Sequence, residues 1–255
     1  MISPSSLQLA VVQFRAETDE VEVERARLLA LCAESIAAGA QLIVLPELAL
    51  TRYLFANQAE ARALAEVTSG ASASAFQLLA DQSGACIVWG FIEDAGEKLY
   101  NSALIMLPKR PPLLYRKRYL FIEDERWATS GDLPYPIWEL NGWRLTVGIC
   151  MDLNDDRFIE WCEQERIDCI AFPTNWLDEG IDIRPYWAAR ISSTRALLAA
   201  ANAYGAEREI AYRGQSSILS ATTLYAELPR SGDGWRSVRL RRRALSISPE
   251  SPMPG

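Results

Sequence analysis

Three short apolar runs each end in a reactive side chain, and the chain that carries them contains no histidine. Residues 42–47 (LIVLPE) present the Glu47 carboxylate, residues 113–117 (LLYRK) the Lys117 amine, and residues 145–150 (LTVGIC) the Cys150 thiol. An apolar β-type run that delivers a nucleophile just before a turn is a way of exposing it. Cysteine acts as the thiolate, so a neighbouring group must take its proton, and the usual partner is imidazole. Without histidine the activating group is a carboxylate, a lysine, or nothing. Cys-His and Ser-His-Asp catalysis are thereby removed, together with most zinc sites. Taken singly, each residue has a plain explanation: Cys150 as a small buried apolar side chain, Glu47 as a helix-start or solvated charge, Lys117 as a surface cation. Taken together they supply a mechanism. Glu47 can deprotonate Cys150 as general base, while Lys117 holds the thiolate by charge and then stabilises the oxyanion on an attacked carbonyl.

The elements that must position these groups are legible from hydrophobic period. Strands are predicted over 7–14 and 41–45 with a helix over 21–38 between them, then a helix over 74–83 and a hairpin of 85–93 with 99–107. A second hairpin, 137–140 with 143–150, turns at Asn141-Gly142, a strong short-range turn signal. A helix over 157–165, a strand over 169–173 and a long Ala/Leu-rich helix over 185–204 follow, with Pro185 at its start and Gly205 beyond its end. Closing strands are read over 208–220 and 235–240. Hairpins mixed with helix-separated strands imply mixed parallel and antiparallel sheets covered by helices, in four layers or as one doubly wound sheet.

Composition bounds the function. The 255 residues, 49% hydrophobic and 23% charged, suit one large α/β domain, placed at 1–247, with a mobile or partner-draped tail over 248–255. A net charge of −7 repels phosphate and argues against nucleic-acid or anionic-membrane partners. Five cysteines without a C-x-x-C pair suggest neither a disulfide framework nor a metal cage. With no signal-peptide pattern at the start and no run of about 20 apolar residues, a reducing cytoplasm is the expected location.

The three motifs, in the order Glu, Lys, Cys, resemble those of the nitrilase (carbon–nitrogen hydrolase) superfamily. Leu45-Pro46-Glu47 with Thr51 and Tyr53 is similar to its glutamate motif, Tyr115-Arg116-Lys117 to its lysine motif, and Gly148-Ile149-Cys150-Met151-Asp152 to its nucleophile motif. Residues 172–176 (FPTNW) resemble a substrate-pocket strand, and the resemblance spans roughly residues 7–240. It implies an αββα sandwich, usually a homodimer, with Glu47 as general base, Lys117 as electrostatic stabiliser and Cys150 as acyl-forming nucleophile. It further implies an oxyanion hole of Lys117 with the backbone N–H of Met151, a second glutamate that orients the lysine and is read as Glu125, and a pocket formed by Tyr53, Met151, Asn175 and Trp176. No metal or cofactor is implied. The substrate it implies is a small-molecule amide. Local similarity of residues 46–51, 148–154 and 175–177 to the protein N-terminal amidase branch makes the side-chain amide of an N-terminal Asn or Gln an alternative. A nitrile hydrolase, an acyltransferase and a non-catalytic binding homologue are further alternatives. Arg52, standing where many relatives have glycine, either faces the pocket, favouring a carboxylate-bearing amide, or faces solvent.

Overall fold

Alternation of side chains decides the architecture. In β1 (Ser6–Gln13), Leu7, Leu9 and Val11 face one core while Ala10 and Val12 face another, the period of two of a strand buried on both sides. A computed structural model of the chain, which describes residues 6–242 and 247–249, shows what meets those faces. After β1 come α1 (Val21–Ala37), β2 (Leu42–Val44), α2 (Gln58–Arg62) and α3 (Ala71–Ser83). The hairpin of β3 (Cys86–Ala95) and β4 (Lys98–Met106) follows, and β5 (Leu113–Arg116) pairs with β4. β6 (Trp138–Leu140) and β7 (Trp143–Val147) form the second hairpin, with Asn141 and Gly142 both at positive φ as a tight turn of this kind requires. The chain continues through α4 (Asp156–Gln164), β8 (Cys169–Thr174), α5 (Arg184–Arg190) and β9 (Leu197–Asn202). The small hairpin of β10 (Tyr204–Glu207) and β11 (Ile210–Arg213) precedes β12 (Ser217–Leu219), β13 (Leu224–Glu227), β14 (Gly234–Arg242) and β15 (Ile247–Pro249).

Two mixed sheets result, ordered β15-β14-β1-β2-β3-β4-β5 and β13-β12-β9-β8-β7-β6. Leu9, Val44 and Val88 of the first pack against Leu145, Ala171 and Ala199 of the second. On the outer faces, Leu28 and Cys32 of α1 with Phe76 of α3 cover the first sheet, while Phe158 and Cys162 of α4 with Trp187 of α5 cover the second. The layers therefore run helix, sheet, sheet, helix, as the motifs imply. β1, β2 and β3 are parallel, and so are β7, β8 and β9. β5, two antiparallel steps from β3, points the same way as β3. The carboxyl ends of β2 and β5, and those of β7 and β8, thus each gather at one end of their sheet, where open α/β sheets carry their functional groups.

Three sequence expectations change. The helix expected over 185–204 ends at Arg190, and the Ala/Leu run becomes β9, every residue of which is buried. Its reason is position: Leu197, Ala199 and Ala201 face the sheet–sheet core while Leu198 and Ala200 face the helices, so an unbroken apolar run serves a strand covered on both sides. Residues 208–220 divide into β11 and β12, interrupted by Gly214 and Gln215 at positive φ. Of the tail expected over 248–255, Ser248 and Pro249 pair with β14, and 250–255 lie outside the described residues. Among the described residues no helix is long and apolar enough to cross a membrane.

Candidate active site

Each reactive side chain sits just past a strand end, held there by the local backbone. β7 stops at Val147, and Cys150 opens a short 3-10 turn, residues 150–154, with its φ at 45°. A left-handed backbone at a residue other than glycine costs about 1–3 kcal/mol and persists only when its surroundings enforce it. The enforcing group is the buried Asp152 carboxylate. Oδ2 accepts the Ile149 N–H at 2.9 Å and the Tyr115 hydroxyl at 2.9 Å, and Oδ1 accepts the N–H groups of Arg118 at 3.1 Å and Tyr119 at 2.9 Å. One carboxylate thereby ties the nucleophile turn to the strand and loop that carry the lysine. Arg190 of α5 holds the far end of the turn by donating to the Leu153 carbonyl at 2.8 Å.

Glu47 follows β2 and precedes Leu48, also at positive φ (47°). Gly90 of β3 lets this corner approach: a Cβ there would stand 2.7 Å from the Pro46 carbonyl oxygen and 2.8 Å from Glu47 Cα. Lys117 extends β5, its N–H donating to the Asn101 carbonyl at 2.8 Å. Its ammonium is fully buried and donates to Glu47 Oε1 at 2.7 Å and Asp124 Oδ2 at 2.5 Å. Asn101 Nδ2 bridges the two carboxylates, donating at 2.7 Å to Glu47 Oε1 and 3.3 Å to Asp124 Oδ1. The backbone N–H of Asn175 donates to Glu47 Oε2 at 2.9 Å, and its Nδ2 to the Glu47 carbonyl at 2.9 Å, so the second sheet clamps the first across the site.

The second carboxylate of this cluster is not Glu125. That side chain is exposed, and the loop instead turns Asp124 inward, its Oδ2 also accepting the Phe121 N–H at 3.0 Å in a turn that closes 121–124. The adjacent residues 123–125 are all acidic, and only the packed turn selects which one points in. Asn101 and Asp152 were not singled out from sequence. The signal for Asn101 was two polar residues, Asn101 and Ser102, inside the otherwise apolar β4, both buried.

Two buried carboxyl groups share the one lysine amine of this cluster. Burial pushes the Glu47 carboxyl above its ordinary value, with the Lys117 charge opposing. Burial works against the Lys117 ammonium, yet Asp124 and then Glu47 more than offset it and hold lysine well above its ordinary value. Burial, followed by the Glu47 charge, pushes the Cys150 thiol up to about 12, against the pull of Lys117. Both shifts favour the protonated form, and they place a thiol of raised proton affinity near a carboxyl group of raised proton affinity, a pair able to exchange a proton.

Cys150 lines a cavity of about 300 Å³ whose wall is mostly apolar. Tyr53, Met151, Asn175 and Trp176 all contribute to this wall, so the four residues read as a pocket do come together. Phe121, Leu177, Ile181, Ile183 and Tyr186 complete its apolar part. The Trp176 N–H donates to Asn202 Oδ1 at 2.8 Å, which fixes the indole-bearing backbone. Arg52 is absent from that wall. It pairs with Asp19 and with Glu60 at 2.9 Å and lines a separate, more polar cavity of about 330 Å³ that shares Tyr53 and Asn175 with the first.

The carbon–nitrogen hydrolase family model matches residues 8–233. The chain is 30% identical over 220 residues to a nitrilase of Pyrococcus abyssi, covering 84% of this chain and 81% of that protein. It is 28% identical over 225 residues to the protein N-terminal amidase of Schizosaccharomyces pombe, covering 70% of this chain and 78% of the other. Among solved structures, an amidase from Nesterenkonia sp. superposes with a TM-score of 0.78 at 22% identity, over 94% of this chain and 92% of that one. A CN-hydrolase superfamily protein from Xanthomonas campestris superposes with a TM-score of 0.79 at 24% identity, over 92% and 90%.

Proposed function

Because the chain belongs to the carbon–nitrogen hydrolase family, we propose that it hydrolyses the C–N bond of a carboxamide through a thioester on Cys150, releasing ammonia. The observation that supports this most is the thiol in the wall of an apolar cavity beside the buried Lys117 and its two carboxylates. On this mechanism the amide carbonyl meets Lys117 and the backbone N–H of Met151, which stabilise the oxyanion. Sγ attacks the carbonyl carbon as its proton passes to Glu47. The tetrahedral adduct collapses when Glu47 returns that proton to the nitrogen, and ammonia departs. Water then attacks the thioester, giving its proton to Glu47; the carboxylic acid leaves and the thiol is regenerated. Asp124 holds Lys117 in place.

Ammonia release from a panel of primary amides and nitriles tests the reading, with the acyl adduct on Cys150 sought by mass spectrometry. Cys150→Ala and Cys150→Ser are expected to abolish release while circular dichroism stays that of the wild type, since a serine hydroxyl is far less acidic than a thiol and Glu47 is a weaker base than histidine. Wild-type turnover in either variant removes Cys150 as nucleophile. The Schizosaccharomyces pombe relative supports a second reading, deamidation of N-terminal Asn or Gln. Release from Asn-initiated peptides exceeding that from every free amide would put it first.

A further inference from the structure

Among the described residues Glu179, an exposed residue, is the one acidic residue that lines the Cys150 cavity, together with Asn154, Asn175 and a mainly apolar and aromatic remainder. Its neighbour Asp178 is committed elsewhere, accepting from Arg213 at 2.7 Å and from the Gly180 N–H at 3.0 Å. The Asp178 N–H in turn donates to the Ala211 carbonyl at 2.8 Å, and Gly180 takes a φ of 80°. The turn is therefore anchored on both sides of Glu179, while Ile181 and Ile183 just beyond it line the same cavity. No described cation pairs with Glu179, in contrast to Asp178, Asp182 and Glu227 nearby, each bound to arginine. Trp176 and Tyr186, which line the same cavity, stand with ring centroids 5.8 Å apart. A carboxylate and aromatic rings lining one cavity are a combination that attracts ammonium: the rings offer cation–π contact and the carboxylate an ion pair.

Resting on the amidase reading of Cys150, we propose that the cavity selects amides that carry an ammonium group on an apolar acyl part, with Glu179 as the specificity-determining residue. The shared chemistry is an ammonium separated by apolar atoms from a carboxamide, whether on a small aminoalkanamide or at a peptide terminus. The nucleophile and its proton relay are untouched by this selection, so Glu179 acts on substrate preference and leaves the chemical step alone.

The test compares kcat/KM for 6-aminohexanamide against hexanamide, and for an Asn-initiated dipeptide amide against its N-acetylated form, at low ionic strength. Wild type is expected to favour the ammonium member of at least one pair by about threefold to fivefold, the range open to a solvent-accessible ion pair. In Glu179→Gln that ratio falls to about one, and in Glu179→Lys it inverts, each ratio being taken within the one variant. A preference in the first pair assigns a small molecule, and one in the second a peptide terminus; either supports the proposal. Hexanamide turnover with both ratios flat in wild type, or unmoved by Glu179→Gln, overturns the proposal while leaving the amidase reading intact. No release from any amide, with Cys150 never acylated, overturns the amidase reading and the proposal with it.

Discussion

Asp124 and Glu125 are adjacent in sequence and opposite in circumstance. Asp124 is fully buried and grips the Lys117 ammonium at 2.5 Å, whereas Glu125 faces solvent. Asp124→Asn is expected to lower kcat by a factor on the order of 10², because the lysine loses a charge partner and its fixed position. Glu125→Gln should leave kcat within about twofold, as surface substitutions usually do. Steady-state ammonia release from the two variants checks this ranking, and the reverse order would restore Glu125 to the site. Glu47 carries a second expectation at this scale. On the proposed mechanism it acts as the ionised carboxylate, and burial raises its proton affinity above the ordinary value of 4.5. Activity is therefore lost as pH falls through that raised value, and the acid limb of kcat/KM should lie above 4.5. An acid limb at or below the ordinary value would show that a different group controls it.

The turn of residues 150–154 depends on what lies beneath it as much as on its own sequence. Asp152 pulls it toward β5 from one side, and Phe158 of α4 supports it from the other. A Cβ on Gly148 would meet the Phe158 ring at 2.7 and 2.8 Å, and that ring is fully buried against Ile170 and Leu198. Gly148→Ala should accordingly cost about 1–3 kcal/mol by overpacking and displace the nucleophile turn. Chemical denaturation should record the loss of stability, and kcat should fall by more than KM changes. Unchanged stability would mean that the ring moves freely. These elements were partly legible beforehand. β1, β2, β4 and β8 and the helices α1 and α4 follow period and turn signals closely. β9 did not, because a strand buried on two faces and a buried helix share one composition, and only its neighbours β8 and β12 distinguish them.

The molecule stacks four layers with their cores sealed from one another, and its five cysteines report on that arrangement. Cys32 lies between α1 and the first sheet, Cys86 and Cys169 between the sheets, and Cys162 between α4 and the second sheet, all fully buried. Burial pushes the Cys32 and Cys86 thiols up to about 12 and raises those of Cys162 and Cys169 as well. Cys150 lines the cavity of about 300 Å³. Iodoacetamide treatment of the native protein is expected to label Cys150 ahead of the other four, because access through the cavity and proton transfer to Glu47 set its rate although its thiol is raised like theirs, with all five labelled in guanidinium. Fast native labelling of any of the other four would show that a layer opens.

The sequence by itself determined the chemistry available and its order along the chain. A histidine-free protein with Glu47, Lys117 and Cys150 each ending an apolar run has few other ways to activate a thiol, and their flanks carried the family. Strand period determined which residues face a core, because each side chain's direction is set by its own backbone. Tertiary structure alone decided which of three consecutive acidic residues reaches the lysine, since that choice depends on a turn closed against β4. It alone decided that Arg52 stands outside the wall of the Cys150 cavity, because its partners Asp19 and Glu60 come from other segments. The raised proton affinities of Glu47 and Cys150 also belong there. Proton affinities follow from burial and from charges brought together across the fold, and neither is written in local sequence.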